Sequence, residues 1–223
     1  MKLPFDVTPE QQQQFEIFFK QLIETNKQFN LTAITDESEV IEKHFFDSAQ
    51  AVDFLKQNAS VVDVGAGAGF PSVPLKILMP SLKTTLIDSL NKRVNFLMQV
   101  GEQFGFYDYN CVHSRAEDFA VKKREQFDVA LARAVAPLPT LCELAAPLVK
   151  VGGQLIFWKG SDHQREIDQS KNAFKKLGLV LKKIVPYRLE NANQNRVLII
   201  INKIKATPAK YPRGQNKPKT NPL

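Results

Sequence analysis

No stretch of this chain restricts its fold more than Val61-Val62-Asp63-Val64-Gly65-Ala66-Gly67-Ala68-Gly69-Phe70-Pro71. The β-branched run reads as a buried strand. Three alternate glycines then let the backbone turn tightly and approach a ligand where any Cβ would clash. Pro71 suits the first turn of a following helix, where its missing N–H costs nothing. A strand passing through such a turn into a helix is the opening unit of an α/β domain, whose ligands sit beyond the carboxyl ends of the strands.

The rest of the sequence supplies the other units of that domain. After residue 60, short β-branched runs alternate with helical stretches: SVVDVG, KTTLID, YNCVH, FDVALAR, QLIFWK, LVLKKIV and RVLIII. This predicts a seven-stranded, mostly parallel sheet with helices on both faces, an α/β Rossmann-like fold. The last two runs are split only by PYRLENANQN, so they form an antiparallel hairpin at the sheet edge. Upstream, Thr8-Pro9-Glu10 opens a helix whose apolar face is Phe15, Phe18, Phe19, Leu22 and Ile23, running to about Phe29. A second helix is expected from about Ser38 to Lys56, with Val40, Ile41, Phe45, Ala49, Val52 and Leu55 on one side. The expected organisation is an N-terminal helical cap over 1–56, a core over 57–202 and a basic, Pro-rich tail over 203–223.

The glycine register limits the ligand. Counted from Gly65, the third glycine of a G-x-G-x-x-G dinucleotide fingerprint falls on Phe70, and counted from Gly67 it falls on Ser72. A carboxylate at Asp63 would repel a pyrophosphate but attract an ammonium group such as the methionine end of S-adenosylmethionine, while the helix N-terminus receives a carboxylate. Asp88 ends the second strand, where a ribose diol would be gripped, although it could instead cap the next helix. His113-Ser114-Arg115-Ala116-Glu117-Asp118 forms a polar turn after the third strand, able to meet an adenine edge or to be a solvated loop. Arg133 ends the fourth strand at the same edge of the sheet. The residues alone point to an S-adenosylmethionine-dependent methyltransferase, with nucleic acid as the favoured acceptor and small molecules or protein left open by the fold.

Charge and composition favour that acceptor. The formal charge is +7, and residues 203–223 hold Lys203, Lys205, Lys210, Arg213, Lys217 and Lys219 without one acidic residue. Pro208, Pro212, Pro218 and Pro222 exclude a regular helix or strand there, so the tail is expected to be extended or disordered unless bound. Such a tail fits RNA phosphates, or is simply solvated. Cys111 and Cys142 lack metal-ligand spacing and read as buried free thiols, and no metal site is expected. No run reaches the length of a membrane span and the start lacks a signal-peptide core, so a cytoplasmic monomer without membrane contact is expected.

With these pieces assembled, the chain resembles the bacterial ribosomal RNA small subunit methyltransferase G family, also called glucose-inhibited division protein B. The motifs are Phe29-Asn30-Leu31-Thr32-Ala33-Ile34 with His44 and Asp47-Ser48, then Asp63 to Leu75, Arg115-Ala116-Glu117, Arg133-Ala134-Val135-Ala136, Lys159-Gly160, and Tyr211-Pro212-Arg213 with Pro222-Leu223. The resemblance implies a class I methyltransferase fold and methylation of N7 of one guanine in 16S ribosomal RNA, naked or within the 30S subunit. It implies cofactor contacts at Gly65, Phe70, Ala116, Glu117, Arg133 and Asp88, beside Asp63, Gly67 and Gly69 of the loop. Ser72 stands where the family has Gly, and Val73 and Lys76 also differ from its pattern.

Guanine N7 carries an in-plane lone pair, so the reaction needs positioning rather than a general base. An Arg can grip the N7–O6 edge through two donors, which nominates Arg133 as the catalytic side chain, with Arg196 as a further candidate. Either could be only a surface ion pair. His44, oriented by Asp47, and Asn30 are candidates at the substrate mouth, against the plainer readings of a structural histidine and a helix C-cap. Lys210 and Arg213 are candidate phosphate contacts. Two rival classes remain at this stage. One is an NAD-dependent oxidoreductase, disfavoured by the glycine register. The other is a noncatalytic RNA-binding or ribosome-assembly factor, which need not retain the Asp63, glycine and Asp88 set.

Overall fold

The computed structural model describes all 223 residues. Its sheet has the order β3-β2-β1-β4-β5-β7-β6, formed by β1 (Ser60–Val64), β2 (Lys83–Asp88), β3 (Tyr109–His113), β4 (Phe127–Arg133), β5 (Val149–Lys159), β6 (Leu179–Leu189) and β7 (Gln194–Lys203). The first five strands are parallel; β7 runs antiparallel to β5, and β6 antiparallel to β7. The seven-stranded sheet with an antiparallel edge hairpin is therefore as expected. Side-chain alternation buries both faces. Val62, Val64, Ala130, Ala132, Leu155, Phe157, Ile199 and Ile201 enter one core layer, and Val61, Val129, Leu131, Ile156, Trp158 and Leu198 the other.

The N-terminal segment packs by its aromatic residues. α1 (Pro9–Asn26) starts at Thr8, whose hydroxyl accepts from the Gln11 N–H while the Gln11 side chain accepts from the Thr8 N–H. Phe15 and Phe18 meet Phe45, and Phe18 meets Phe70 and Phe96, which joins α1 to the glycine turn and to α5 (Asn91–Phe104). The second expected helix is shorter and less regular than the apolar period suggested. An α turn, α2 (Glu37–Val40), continues through a π-helical stretch Ile41–Phe46 into α3 (Asp47–Ala49), and a separate 3₁₀ turn follows at Val52–Phe54. The wider π turn is a frequent companion of functional side chains, and here it carries Lys43 and His44.

Helices α6 (Ala116–Lys122), α7 (Leu138–Ala145), α8 (His163–Gln169) and α9 (Lys171–Leu177) cover the opposite face, and α4 (Ser72–Leu78) follows the glycine turn. The C-terminal tail departs from the expected extended state. It folds onto α7 and ends in a short helix, α10 (Lys217–Thr220), with Tyr211 and Pro218 buried. Apolar anchors and the buried Glu143 fix it without any external partner. Cys142 is buried, as expected, whereas Cys111 is only half-buried. Burial pushes the Cys111 thiol up to about 12. No helix is long and apolar enough to cross a membrane.

Candidate active site

The glycine turn takes its shape from two neighbouring strands. Gly65 and Ala66 donate their N–H groups to the Ile87 carbonyl, and the Gly67 N–H donates to Asp88 Oδ2 at 2.9 Å. Gly65, Gly67 and Gly69 have φ of 75°, 58° and 94°, in the left-handed region that glycine enters without penalty. Their reasons differ. A Cβ on Gly65 would lie 2.8 Å from Val135 Cγ2, and one on Gly69 2.6 Å from Val73 Cγ2, so both are packing positions. A Cβ on Gly67 would have only the Gly65 carbonyl near it, at 3.9 Å, so its neighbouring space is open. Val135 reaches Gly65 because Ala134, a non-glycine residue at φ 57°, turns the chain sharply after β4. That strain costs roughly 1 kcal/mol.

Beyond the turn lies a cleft of about 370 Å³ lined by Val64, Gly65, Asp88, the Ser114–Glu117 turn and Val135. It adjoins the carboxyl ends of β1, β2 and β3, where an α/β sheet binds ligands. Asp88 is buried; Oδ1 accepts from the Leu90 N–H and Oδ2 from Gly67, so it fixes the glycine turn and the segment leading into α5, whose N-cap is Leu90. The helix-cap reading of Asp88 is thus corrected, since Leu90 is the N-cap of α5 and no side chain caps it, while each Asp88 oxygen keeps a second lone pair. Ala116 and Glu117 line the cleft.

Asp63 is buried deeper. Its Oδ2 accepts from the Ser72 hydroxyl at 2.7 Å, and its Oδ1 has no partner. Ser72 thus supplies the one side-chain hydrogen bond this carboxylate makes. Burial raises its pKa to about 7, against the opposing pull of Ser72 and Arg133. A buried carboxylate oxygen without a donor is costly and invites a cation.

Arg133 is engaged differently from expectation. Its guanidinium donates to Asp47 Oδ2 at 2.8 Å, to the Lys43 carbonyl at 2.9 Å and to His44 Nδ1 at 3.1 Å. It also lies 5.1 Å from the centre of the Phe70 ring. The open fork expected to grip a guanine edge is therefore absent, because the buried Asp47 carboxylate requires a charged partner. Asp47 also accepts from the Tyr187 hydroxyl at 2.6 Å, and its carbonyl accepts from the Trp158 indole at 2.7 Å. It thus holds Arg133, not His44. This network was not legible beforehand, since Tyr187 and Trp158 carry no motif and reach Asp47 only through the sheet.

His44 stacks on Phe70 at 4.3 Å between centroids and its Nε2 is 2.9 Å from Thr32 Oγ1. Nδ1 lies 3.1 Å from both the Arg133 guanidinium, which only donates, and the Lys43 carbonyl, which only accepts; with Arg133 donating to it, the ring proton sits on Nε2 toward Thr32. Burial first, and Arg133 second, lower its pKa to about 3, which keeps the imidazole neutral. The remaining candidates stand apart from the cleft. Asn30 is exposed and caps nothing; Asn26 instead accepts from the Leu31 and Thr32 N–H groups. Arg196 donates to Gln194 and forms no ion pair. Lys210 is exposed over the Tyr211 ring. Arg213 is committed to the buried Glu143 through contacts of 2.8 and 2.6 Å, so its expected role as a free phosphate ligand is corrected by that pair.

Comparison with known proteins follows the same lines. A family model described as rRNA small subunit methyltransferase G matches residues 11–200. The chain is 47% identical to the ribosomal RNA small subunit methyltransferase G of Lactobacillus acidophilus, covering 98% of this chain and 94% of that one. The protein of the same name from Halalkalibacterium halodurans is likewise 47% identical over the same shares. Among solved structures, M. jannaschii TYW2 in complex with AdoMet superposes with a TM-score of 0.59 at 13% identity, covering 76% of this chain and 78% of that one. An rRNA methylase from Streptococcus thermophilus gives 0.52 at 18%, covering 72% and 95%. These structures share the class I methyltransferase fold with this chain.

Proposed function

Because this chain belongs to the ribosomal RNA small subunit methyltransferase G family, we propose that it transfers the methyl group of S-adenosylmethionine to N7 of a guanine in 16S ribosomal RNA. The observation that carries the cofactor assignment is the buried Asp63 Oδ1 without a donor, beside a glycine turn with open space at Gly67. An ammonium group would complete that carboxylate, which a pyrophosphate could not do.

When bound, the cofactor supplies a sulfonium-activated methyl. The chain's own residues hold the partners in line. Asp63 anchors the methionine end, Asp88 uses its spare lone pairs on the ribose, and Ala116 and Glu117 border the adenine. Phe70, His44 and Arg133 stack into one block between the glycine turn and the π-helical stretch. Asp47 cancels the Arg133 charge, so this block does not oppose the cationic base that methylation creates. His44, neutral and hydrogen-bonded on both nitrogens, is a positioning residue rather than a base, as suits an acceptor that has no proton to lose.

The test is methyl transfer from labelled S-adenosylmethionine to 30S subunits lacking the modification, followed by digestion of the 16S RNA and separation of its nucleosides. Label in 7-methylguanosine that disappears with Gly65→Asp is the expected result. Cofactor binding without label in RNA would overturn the ribosomal assignment.

A further inference from the structure

The cleft has one wall that neither the glycine turn nor the strand ends provide. Asn216 and Lys219, from the C-terminal segment, line it together with Asp88, Ser89 and Glu117. We propose that residues 213–223 form the outer wall of the cofactor site on its nucleoside side, with Asn216 and Lys219 as specificity-determining contacts. This rests on the reading of the cleft as the S-adenosylmethionine site.

The wall is built into the core. Glu143 on α7 is completely buried, and the side-chain donors it has are those of Arg213, which also gives its backbone N–H to Oε1 at 2.9 Å. A buried carboxylate needs such a partner. Thr140, one helical turn from Glu143, donates its hydroxyl to the Pro218 carbonyl at 2.8 Å, and Arg213 reaches forward to the Asn221 carbonyl at 2.8 Å. Tyr211 and Pro218 are buried, and Leu223 packs on the main core layer. Between these anchors Asn216 and Lys219 stay exposed at the cleft.

Their chemistry suits a nucleoside. The Asn216 carboxamide offers a donor and an acceptor, the complement of the paired acceptor and donor on an adenine edge. Lys219 offers a donor for a ring nitrogen or a ribose hydroxyl, at the end of the ligand away from the positive ammonium. The five lysines and one arginine that sequence alone would assign to a uniform RNA-binding tail thus divide between tasks.

Titration calorimetry with S-adenosylhomocysteine on the full-length protein tests this. Asn216→Ala and Lys219→Ala should each weaken binding by about tenfold or more, and the KM for S-adenosylmethionine should rise while the KM for 30S subunits holds. Trypsin cleavage after Arg213 and Lys219 should slow when ligand is bound. Glu143→Gln, which loosens the anchor without touching the cleft, should lower affinity in the same direction. Normal ligand affinity in both alanine variants, with a raised KM for 30S subunits, would overturn the inference in favour of an RNA-contacting tail while leaving the cofactor site intact. No ligand binding by the wild-type protein would instead sink the reading of the cleft itself.

Discussion

At the scale of single residues, two buried titratable groups make opposite demands on pH. Asp63 holds its proton up to about pH 7, so anchoring an ammonium there requires the proton to leave. Cofactor affinity should therefore fall as pH is lowered from 7 toward 5.5, with proton release on binding visible by calorimetry in buffers of different ionisation heat. Asp63→Asn should bind weakly and without that pH dependence; retention of the dependence would show that another group anchors the ligand. Stability follows the same logic. Below its ordinary pKa of 6.5 and down to about 3, His44 stays neutral when folded but is protonated when unfolded, so its contribution is full above 6.5 and lost on acidification. Asp63 binds more protons folded than unfolded between its ordinary 3.8 and about 7, so its contribution falls as pH rises through that range. The two slopes oppose between 3.8 and 6.5. Asp63→Asn should make thermal stability fall more steeply with acid than in the wild type, as a series of melting curves would show.

Elements, rather than residues, decide what the Arg133 network does. It ties the end of β4 to the π-helical stretch and, through Asp47 and Tyr187, to the edge strand β6. Asp47→Ala leaves a guanidinium that is 11% exposed without its counter-ion, a change of the kind that costs roughly 3–5 kcal/mol. The melting temperature should drop by roughly 6–20 °C for a chain this size. The glycine turn separates packing from ligand space in the same measurement. Gly69→Ala should destabilise the apo protein, since its Cβ would meet Val73 and Leu97. Gly67→Ala, with open space around it, should cost only roughly 1 kcal/mol of stability yet lose most cofactor affinity. A Gly67→Ala variant that binds normally would place the ligand elsewhere. The sequence showed the three glycines but not this division, because Val135 and Val73 come into range only when β4 and α4 have packed.

For the whole molecule, the +7 charge works through its distribution. Lys203 is buried against Glu125 and Arg213 is held by Glu143, which leaves Lys205, Lys210, Lys217 and Lys219 as the exposed cations of the tail. If 30S association depends on such cations, the KM for subunits should rise steeply between 50 and 200 mM salt, with about 0.7–0.9 of logarithmic slope per phosphate neutralised. The affinity for S-adenosylhomocysteine, held by a partly buried cleft, should change little. A flat salt response of the subunit KM would remove electrostatics from RNA recognition.

The local pattern was sufficient for the sheet, the edge hairpin, the N-cap at Thr8 and the glycine turn beside Asp63 and Asp88, because each is set by residues within a few positions of one another. Partner choice across the sheet was not. The period of apolar residues could not register the π stretch, and the proline content of the tail hid its anchors. The pairing of Arg133 with Asp47, the missing donor on Asp63 and the seating of Arg213 on Glu143 join residues up to 86 positions apart. Buried charges choose partners by the cost of leaving one unpaired, and that cost exists only once the core has closed around them.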